Sequence, residues 1–184
     1  MPEISLFSKW QNFHTIIFDF DGVFTDNKVY VDENGKETIK CDRADGLAFD
    51  ILRKFKEKNN WEIDYFILSK EKNSVVKKRS EKLKIKCYRN IGDKELFIKN
   101  YLINRFGNYI QSKEGVIYVG NDLNDLSAIV LCGFSIAPFD AHHIIKSKVN
   151  IVLQKKGGDG FVREVIEKII NFESLTLEKM QEFL

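Results

Sequence analysis

Short apolar runs that stop at a polar residue alternate along this chain with longer stretches in which apolar positions recur every three or four residues. Thr15, Ile16, Ile17 and Phe18 form a β-branched and aromatic run that ends in Asp19, the pattern of a buried strand delivering residues to a site. Residues 65–68 repeat the pattern and close on Ser69, and residues 115–119 repeat it and close on Gly120. Residues 86–88, 134–137 and 149–153 predict three further strands. Between them, Leu47, Ile51, Leu52 and Phe55 are spaced for a helix that opens at Asp45 or Gly46. Helices are also predicted over 74–83, 94–106 and 124–131, with a helical turn over 141–146. Gly157, Gly158 and Gly160 mark a flexible joint before a terminal helix over 161–170.

Strands that alternate with helical segments of about 10–15 residues argue for βαβ units and a parallel sheet covered on both faces. The expected fold is therefore an α/β three-layer sandwich with a central, mostly parallel sheet. Residues 28–40 alternate around Asp32-Glu33-Asn34-Gly35 and predict a β-hairpin insertion, too small to be a cap domain. One domain over 1–184 is expected, with a glycine-rich tail and terminal helix over 155–184. In such sheets ligands sit beyond the carboxyl ends of the strands, where Asp19, Ser69, Asn121 and Asp122 fall.

Composition narrows the function. A hydrophobic fraction of 43% with 15 Phe excludes a disordered chain. Lys+Arg 29 against Asp+Glu 27 leaves no field to hold a polyanion, so nucleic acid is not implied. The basic stretch Lys77, Lys78, Arg79, Lys82, Lys84 and Lys86 falls on several sides of a helix and reads as a solvated face. Cys41, Cys87 and Cys132 are an odd number without CxxC pairing, which suits a reducing cytosol. The apolar runs fall short of the ~20 residues of a membrane span, and Glu3, Lys9 and Trp10 stand where a signal h-region would lie. A cytoplasmic protein without membrane contact is expected. His14, His142 and His143 sit outside the chemistry-bearing motifs and read as structural or exposed.

Asp19 and Asp21 lie two apart, can project to one side of a strand end, and are followed by Gly22, which lets the backbone turn tightly. Paired carboxylates invite a divalent metal, and without a GxxxxGK loop a hard cation such as Mg²⁺ is the natural way to bind phosphate here. Ser69, Lys94, Asn121, Asp122 and Asp125 complete the parts of a phosphoryl transfer. One Asp attacks the phosphoryl group and the second moves the proton, while a lysine and a hydroxyl hold the transferring oxygens.

The run DFDGVFTD at 19–26, followed in order by Ser69, Lys94 and GNDLND at 120–125, resembles the four motifs of the haloacid dehalogenase superfamily of phosphatases. A response-regulator receiver also combines acidic residues, Ser/Thr and Lys, but its phospho-acceptor Asp lies mid-chain. The resemblance extends over about residues 14–170 through NKVYVDENGKE, CDRADG, EKNSVVKKRSEKL, APFDAH and KKGGDGFVRE. These stretches are similar to the capless branch that holds 3-deoxy-D-manno-octulosonate 8-phosphate phosphatases, nonulosonate 9-phosphate phosphatases and the C-terminal domain of animal acylneuraminate cytidylyltransferases. The resemblance implies a homotetramer in which the hairpin and a neighbour's glycine-rich tail close the site. It implies Asp19 as nucleophile and metal ligand, Asp21 as acid/base with its backbone oxygen on the metal, and Ser69 and Lys94 on phosphate. It further implies substrate contacts from Arg43, Asp45, Gly46, Arg79, Gly158 and Arg163. Plainer readings stand beside these: Asp45 as a helix N-cap, Arg79 as a solvated helix residue, Gly158 as a hinge.

Two departures bear on the substrate. Where octulosonate enzymes read Thr-Gly-Arg, this chain reads Ser69-Lys70-Glu71-Lys72, a variant resembling the nonulosonate branch, so Glu71 and Lys72 are expected to meet a different polyol acid. Asn121 stands where many members carry a metal-ligating Asp, which predicts weaker Mg²⁺ binding, with Asp122 as an alternative ligand and Asp125 behind them. The expected function is a Mg²⁺-dependent phosphatase of a nine-carbon α-keto sugar acid 9-phosphate acting through an aspartyl-phosphate. The alternatives are 3-deoxy-D-manno-octulosonate 8-phosphate phosphatase and, in another class, a weakly active or inactive tetramerisation or regulatory module for a cytidylyltransferase acting in trans.

Overall fold

The computed structural model describes residues 10–184, so Glu3, Lys9 and the first part of the expected domain lie outside the described residues. After a turn of 3-10 helix at Trp10–Asn12 come β1 (Thr15–Phe18), β2 (Thr25–Val31), β3 (Glu37–Cys41), α1 (Ala44–Lys58), β4 (Asp64–Leu68), α2 (Ser74–Leu83), β5 (Lys86–Tyr88), α3 (Lys94–Phe106) and α4 (Tyr109–Ser112). The second half holds β6 (Val116–Val119), α5 (Leu126–Leu131), β7 (Phe134–Ala137), α6 (His143–Lys146), β8 (Ile151–Val152), α7 (Phe161–Ile169) and α8 (Leu177–Phe183).

Six strands form one sheet in the order β5-β4-β1-β6-β7-β8, and every pair in it is parallel. The three-layer sandwich is thus as expected. Alternation along the strands splits the core in two. Ile16 and Phe18 of β1 join Ile67, Ile117 and Val119 on the face covered by Leu52 of α1 and Val165 of α7. Ile17, Phe66, Leu68 and Tyr118 point the other way, onto Ile98 and Leu102 of α3 and Ala128 of α5. Burial of apolar area on both faces is the main force holding the layers.

The hairpin is a separate two-stranded sheet, β2 with β3, whose register shifts between Thr25 and Val29, so it begins earlier than the expected residue 28. The element expected over 124–131 divides into a 3-10 turn, Leu123–Asp125, and α5. Helix α1 starts at Ala44, and its opening turn is held by Asp42, whose Oδ1 accepts from the Ala44 N–H at 2.8 Å. Asp45 is therefore inside the helix and does not cap it. His14 joins Thr15 Oγ1 and the Ser112 carbonyl, both at 2.8 Å, a structural role. The three cysteines are unpaired. Among the described residues no helix is long and apolar enough to cross a membrane.

The glycine run near the C-terminus is a clamp and not a loose joint. Gly157 and Gly158 are buried against the loop that follows β1: the Gly158 N–H donates to the Val23 carbonyl at 3.1 Å, and the Gly157 N–H to Asp140 Oδ1 at 3.0 Å. A Cβ on Gly157 would lie 2.0 Å from the Gly22 carbonyl oxygen. Gly157→Ala must push two backbones apart and should lower stability by about 1–3 kcal/mol, the usual range for overpacking. Urea unfolding checks this: the midpoint should fall at unchanged slope, and an unmoved midpoint would mean that the two loops are not in tight contact.

Candidate active site

Asp19 leaves the end of β1, the strand from which the chain order runs one way to β4 and the other way to β6, and its N–H donates to the Val119 carbonyl at 2.8 Å. Ligands collect at such a switch point. Lys94 is the first residue of α3, a helix capped by Asp93, which accepts from the Leu96 N–H at 2.9 Å. Its Nζ lies 2.7 Å from Asp19 Oδ1 and 2.7 Å from Asp125 Oδ1, although the lysine is only 3% exposed. Burial works against the ammonium, but the two carboxylates outweigh it and hold its pKa above the ordinary value. Burial, then the Asp125 charge, raise the Asp19 carboxyl, and Lys94 pulls it partly back.

Asp125 has all four of its acceptor sites filled. Tyr118 Oη donates to Oδ1 at 2.6 Å beside Lys94, and the Asn121 and Asp122 N–H groups donate to Oδ2 at 3.0 and 3.3 Å. It lies behind Lys94, with its acceptor sites taken by the ammonium, the phenol and the two N–H groups. Asp122 is exposed and its Oδ1 accepts from the Leu123 N–H at 2.7 Å, whereas Asn121 is buried; both residues line the cavity described below. The Asn121 carbonyl accepts from the His142 N–H at 2.9 Å, which fixes its backbone.

Asn121 Oδ1 is buried without a hydrogen-bond partner. Its amide presses on the loop after β1 so closely that a Cβ on Gly22 would meet it at 1.9 Å, which is why residue 22, at φ +75°, is glycine. An orphaned oxygen beside the Asp19 and Asp21 carboxylates fits a hard divalent cation. Among the described residues no group of three His, Cys, Asp or Glu side chains is placed to hold a metal, so a site here would need the Asn121 amide oxygen as a donor. Asp21 is half-buried, and burial first, then Glu71 and Glu37, push its carboxyl up to about 6, suited to giving and taking a proton near neutrality. Ser69, also buried, accepts from the Glu71 N–H at 3.0 Å through Oγ, which shapes the loop after β4.

These residues open into a cavity of about 300 Å³ that Asp19, Asp21, Ser69, Glu71 and Asn121 line. Its outer wall includes the hairpin, the element expected to help close the site, though none of the individual wall residues that follow was singled out in sequence. Asn27, Lys28, Val29, Glu37 and Ile39 of the hairpin and Lys70 and Asn73 of the loop after β4 complete it. Asn73 Nδ2 donates to Glu37 Oε2 at 2.8 Å, latching hairpin to loop, while Asn73 Oδ1 caps α2 by accepting from the Val75 N–H at 3.0 Å. The only signal for Asn73 was its place as a helix N-cap, and Glu37 gave none.

Several expected substrate residues do not reach this chain's cavity. Arg79 folds inward and donates from Nη2 to the Asp42 carbonyl at 2.5 Å. Arg163 pairs with Glu167 along α7, at 2.7 Å. Arg43 is exposed at the start of α1, and the Gly46 N–H donates to the Arg43 carbonyl at 3.0 Å. Gly158 is spent on the clamp described above. Lys72 is exposed and contributes its carbonyl to Arg89, so Lys70 is the lysine of this loop that lines the cavity. Asp45 is 1% exposed, with both oxygens unpartnered.

The chain is 30% identical over 179 residues, 96% of its length, to the 3-deoxy-D-manno-octulosonate 8-phosphate phosphatase of Haemophilus influenzae, of which it covers 94%. It superposes on the crystal structure of a Streptomyces avermitilis protein described as a HAD family hydrolase with a TM-score of 0.77 and 36% identity, over 87% of this chain and 92% of that one. It also superposes on the Moraxella catarrhalis 3-deoxy-D-manno-octulosonate 8-phosphate phosphatase, crystallised with magnesium, phosphate and KDO, with a TM-score of 0.78 and 26% identity over 93% and 92% of the two chains. No family model matches.

Asp45 supplies a test of the surrounding electrostatics. Burial and then the Asp42 charge raise its carboxyl to about 7, with Arg79 and the Arg163 N–H pulling it back without closing a hydrogen bond. Its folded pKa lies above the unfolded value of about 3.9. The folded state therefore holds the proton more tightly, and this group's contribution falls as pH rises from about 4 to about 7, by up to about 4 kcal/mol. Asp45→Asn removes the titration. Denaturant midpoints measured from pH 5 to pH 8 should show the variant gaining on the parent as pH rises. Parallel curves would mean that Asp45 is ionised and satisfied in the folded protein.

Proposed function

The chain belongs to the 3-deoxy-D-manno-octulosonate 8-phosphate phosphatase family of the haloacid dehalogenase superfamily, and on that premise we propose that it is a Mg²⁺-dependent sugar-acid phosphatase working through an aspartyl-phosphate. The observation that carries this is the buried Asp19–Lys94–Asp125 cluster beside the unpartnered oxygen of Asn121, with a cavity opening from it. Asp19 attacks phosphorus as the ester P–O bond breaks, and Asp21 protonates the departing sugar oxygen. Asp21 then takes a proton from the water that attacks the aspartyl-phosphate, releasing inorganic phosphate and restoring Asp19. Lys94 and Ser69 hold the transferring oxygens. Asp19, Asp21 and Asn121 would hold Mg²⁺, which when bound would supply the positive charge that lets a carboxylate meet a phosphate dianion.

The named relatives act on the eight-carbon acid phosphate, and they favour that substrate over the nine-carbon one expected from the Ser69-Lys70-Glu71 variant. The nine-carbon reading keeps one observation in its favour, the Glu71 side chain on the cavity wall. The inactive-module alternative gives way, since the relatives that match nearly the full length are phosphatases. A homotetramer is part of the proposal, supported by Val29, Tyr30 and Val31, which stand 52–60% exposed along one hairpin strand. A cytoplasmic setting is supported by the three unpaired thiols.

Phosphate release measured on eight- and nine-carbon acid phosphates and on a small aryl phosphate, with and without Mg²⁺, tests the proposal. The eight-carbon compound should be turned over best, and chelation should abolish turnover. Glu71→Ala should lower kcat/KM for the preferred acid more than tenfold, about 1.4 kcal/mol, and spare the aryl phosphate. Equal losses on both would assign Glu71 to loop support. Asn121→Asp restores an anionic oxygen and should lower the Mg²⁺ concentration for half-activation several-fold; no change would remove residue 121 from the ligand set.

A further inference from the structure

We infer that Tyr118 is a positioning residue for the second half of the reaction: through Asp125 it keeps Lys94 in place once the Asp19 carboxylate has been consumed. This rests on the phosphatase reading above and adds a residue to it.

Tyr118 is 0% exposed on β6, where a Phe would fill the same space without a polar atom to satisfy. Its single donor is committed to Asp125 Oδ1 at 2.6 Å, the oxygen that also receives Lys94 at 2.7 Å, and the Lys94 Nζ lies 6.0 Å from the centre of the phenol ring. In the resting site the ammonium is anchored twice, on Asp19 and on Asp125. Formation of the bond from Asp19 to phosphorus turns that carboxylate into a neutral acyl group, a much weaker acceptor. Among the described residues Asp125 is then the one remaining anionic anchor at Lys94. Two backbone N–H groups pin its Oδ2, and the Tyr118 hydroxyl alone shares Oδ1 with the ammonium.

The two half-reactions therefore depend on the phenol unequally. While Asp19 is ionised it holds Lys94 itself, and attack on substrate proceeds with the ammonium in register. During hydrolysis, water attacks phosphorus, its proton goes to Asp21, and the P–O bond to Asp19 breaks with the electron pair returning to the carboxylate. The Lys94 charge is needed where that negative charge reappears. Without the hydroxyl, Oδ1 is oriented by the ammonium alone, so the Lys94–Asp125 pair can shift as a unit towards the phosphoryl oxygens and away from Asp19.

In a two-step mechanism, slowing hydrolysis alone lowers kcat and KM together and leaves kcat/KM unchanged, because kcat/KM reports only the steps through phosphorylation. Tyr118→Phe in the full chain should thus lower kcat about tenfold on the eight-carbon acid phosphate, with a parallel fall in KM and more covalent phosphate on the protein after acid quenching, read by intact mass. In an Asp125→Asn background the same change should have no further effect. Unchanged kcat and KM, a fall in kcat/KM without accumulated phosphoenzyme, or additive losses in the double variant would each overturn the inference. If Tyr118→Phe does not fold, 3-fluorotyrosine at position 118 keeps the shape and strengthens the donor. It should lower the phosphoenzyme level, and an unmoved level would again overturn the inference. An unsubstituted chain that releases no phosphate from any substrate would overturn the phosphatase reading as well, a failure distinct from those of the variants.

Discussion

Two carboxylates and an ammonium group packed out of water would oppose folding unless nearly every lone pair were met, because charges lose several kcal/mol of solvation each on burial. This protein meets them with structure that costs little flexibility. Lys94 sits in the first turn of a capped helix, and Asp125 closes a tight turn whose own N–H groups satisfy it. Asp19 follows a strand paired on both sides. Three elements far apart in sequence are thereby brought into register by one positive charge. The sheet order follows the same need, since the strands that end at Asp19 and Asn121 are neighbours at its centre.

Beyond that cluster the molecule changes character. The phosphate end of the cavity is built from buried side chains with fixed partners, whereas the far end is made by an exposed hairpin and a loop joined through the Glu37–Asn73 hydrogen bond. On the proposed reading, the buried part would meet the phosphate and the exposed part the carbon chain. Glu37 and Glu71 face Lys28 and Lys70 at that outer end, a charge-balanced set of acceptors and point charges without an arginine among the described lining residues.

The reading of the sequence succeeded where chemistry and periodicity coincide. Apolar runs ending at Asp19, Ser69 and Gly120 located three strands and the site together, and helices over 74–83 and 94–106 carry the expected bounds. It failed where a residue's role depends on distant chain. Arg79 lies on a basic helix with nothing local to show that the Asp42 carbonyl, 37 positions away, would claim it. Gly158 carries a positive φ, and neither its conformation nor its burial against residues 23–26 is encoded nearby. The difference between Asn121 and Asp122 was equally closed to sequence: the first is buried with an unpartnered oxygen, the second exposed with Oδ1 on the Leu123 N–H. Asp45 shows the opposite case, a residue in a recognisable motif whose buried carboxylate has Asp42 and Arg79 nearby but, among the described residues, no hydrogen-bond partner.

The clamp of Gly157 and Gly158 on the loop after β1 joins the two ends of the chain in time as well as in space. On a ribosome, residues near the N-terminus emerge first and synthesis proceeds at about 5–20 residues per second. The nucleophile loop therefore leaves the exit tunnel long before its backing has been made. A nascent chain can pair β1 with β4 and bury much of the sheet, yet the carbonyls of Gly22 and Val23 stay without their glycine counterparts until residues 157 and 158 emerge. The loop that carries Asp19 and Asp21 thus receives its backing last, after every strand of the sheet has been made.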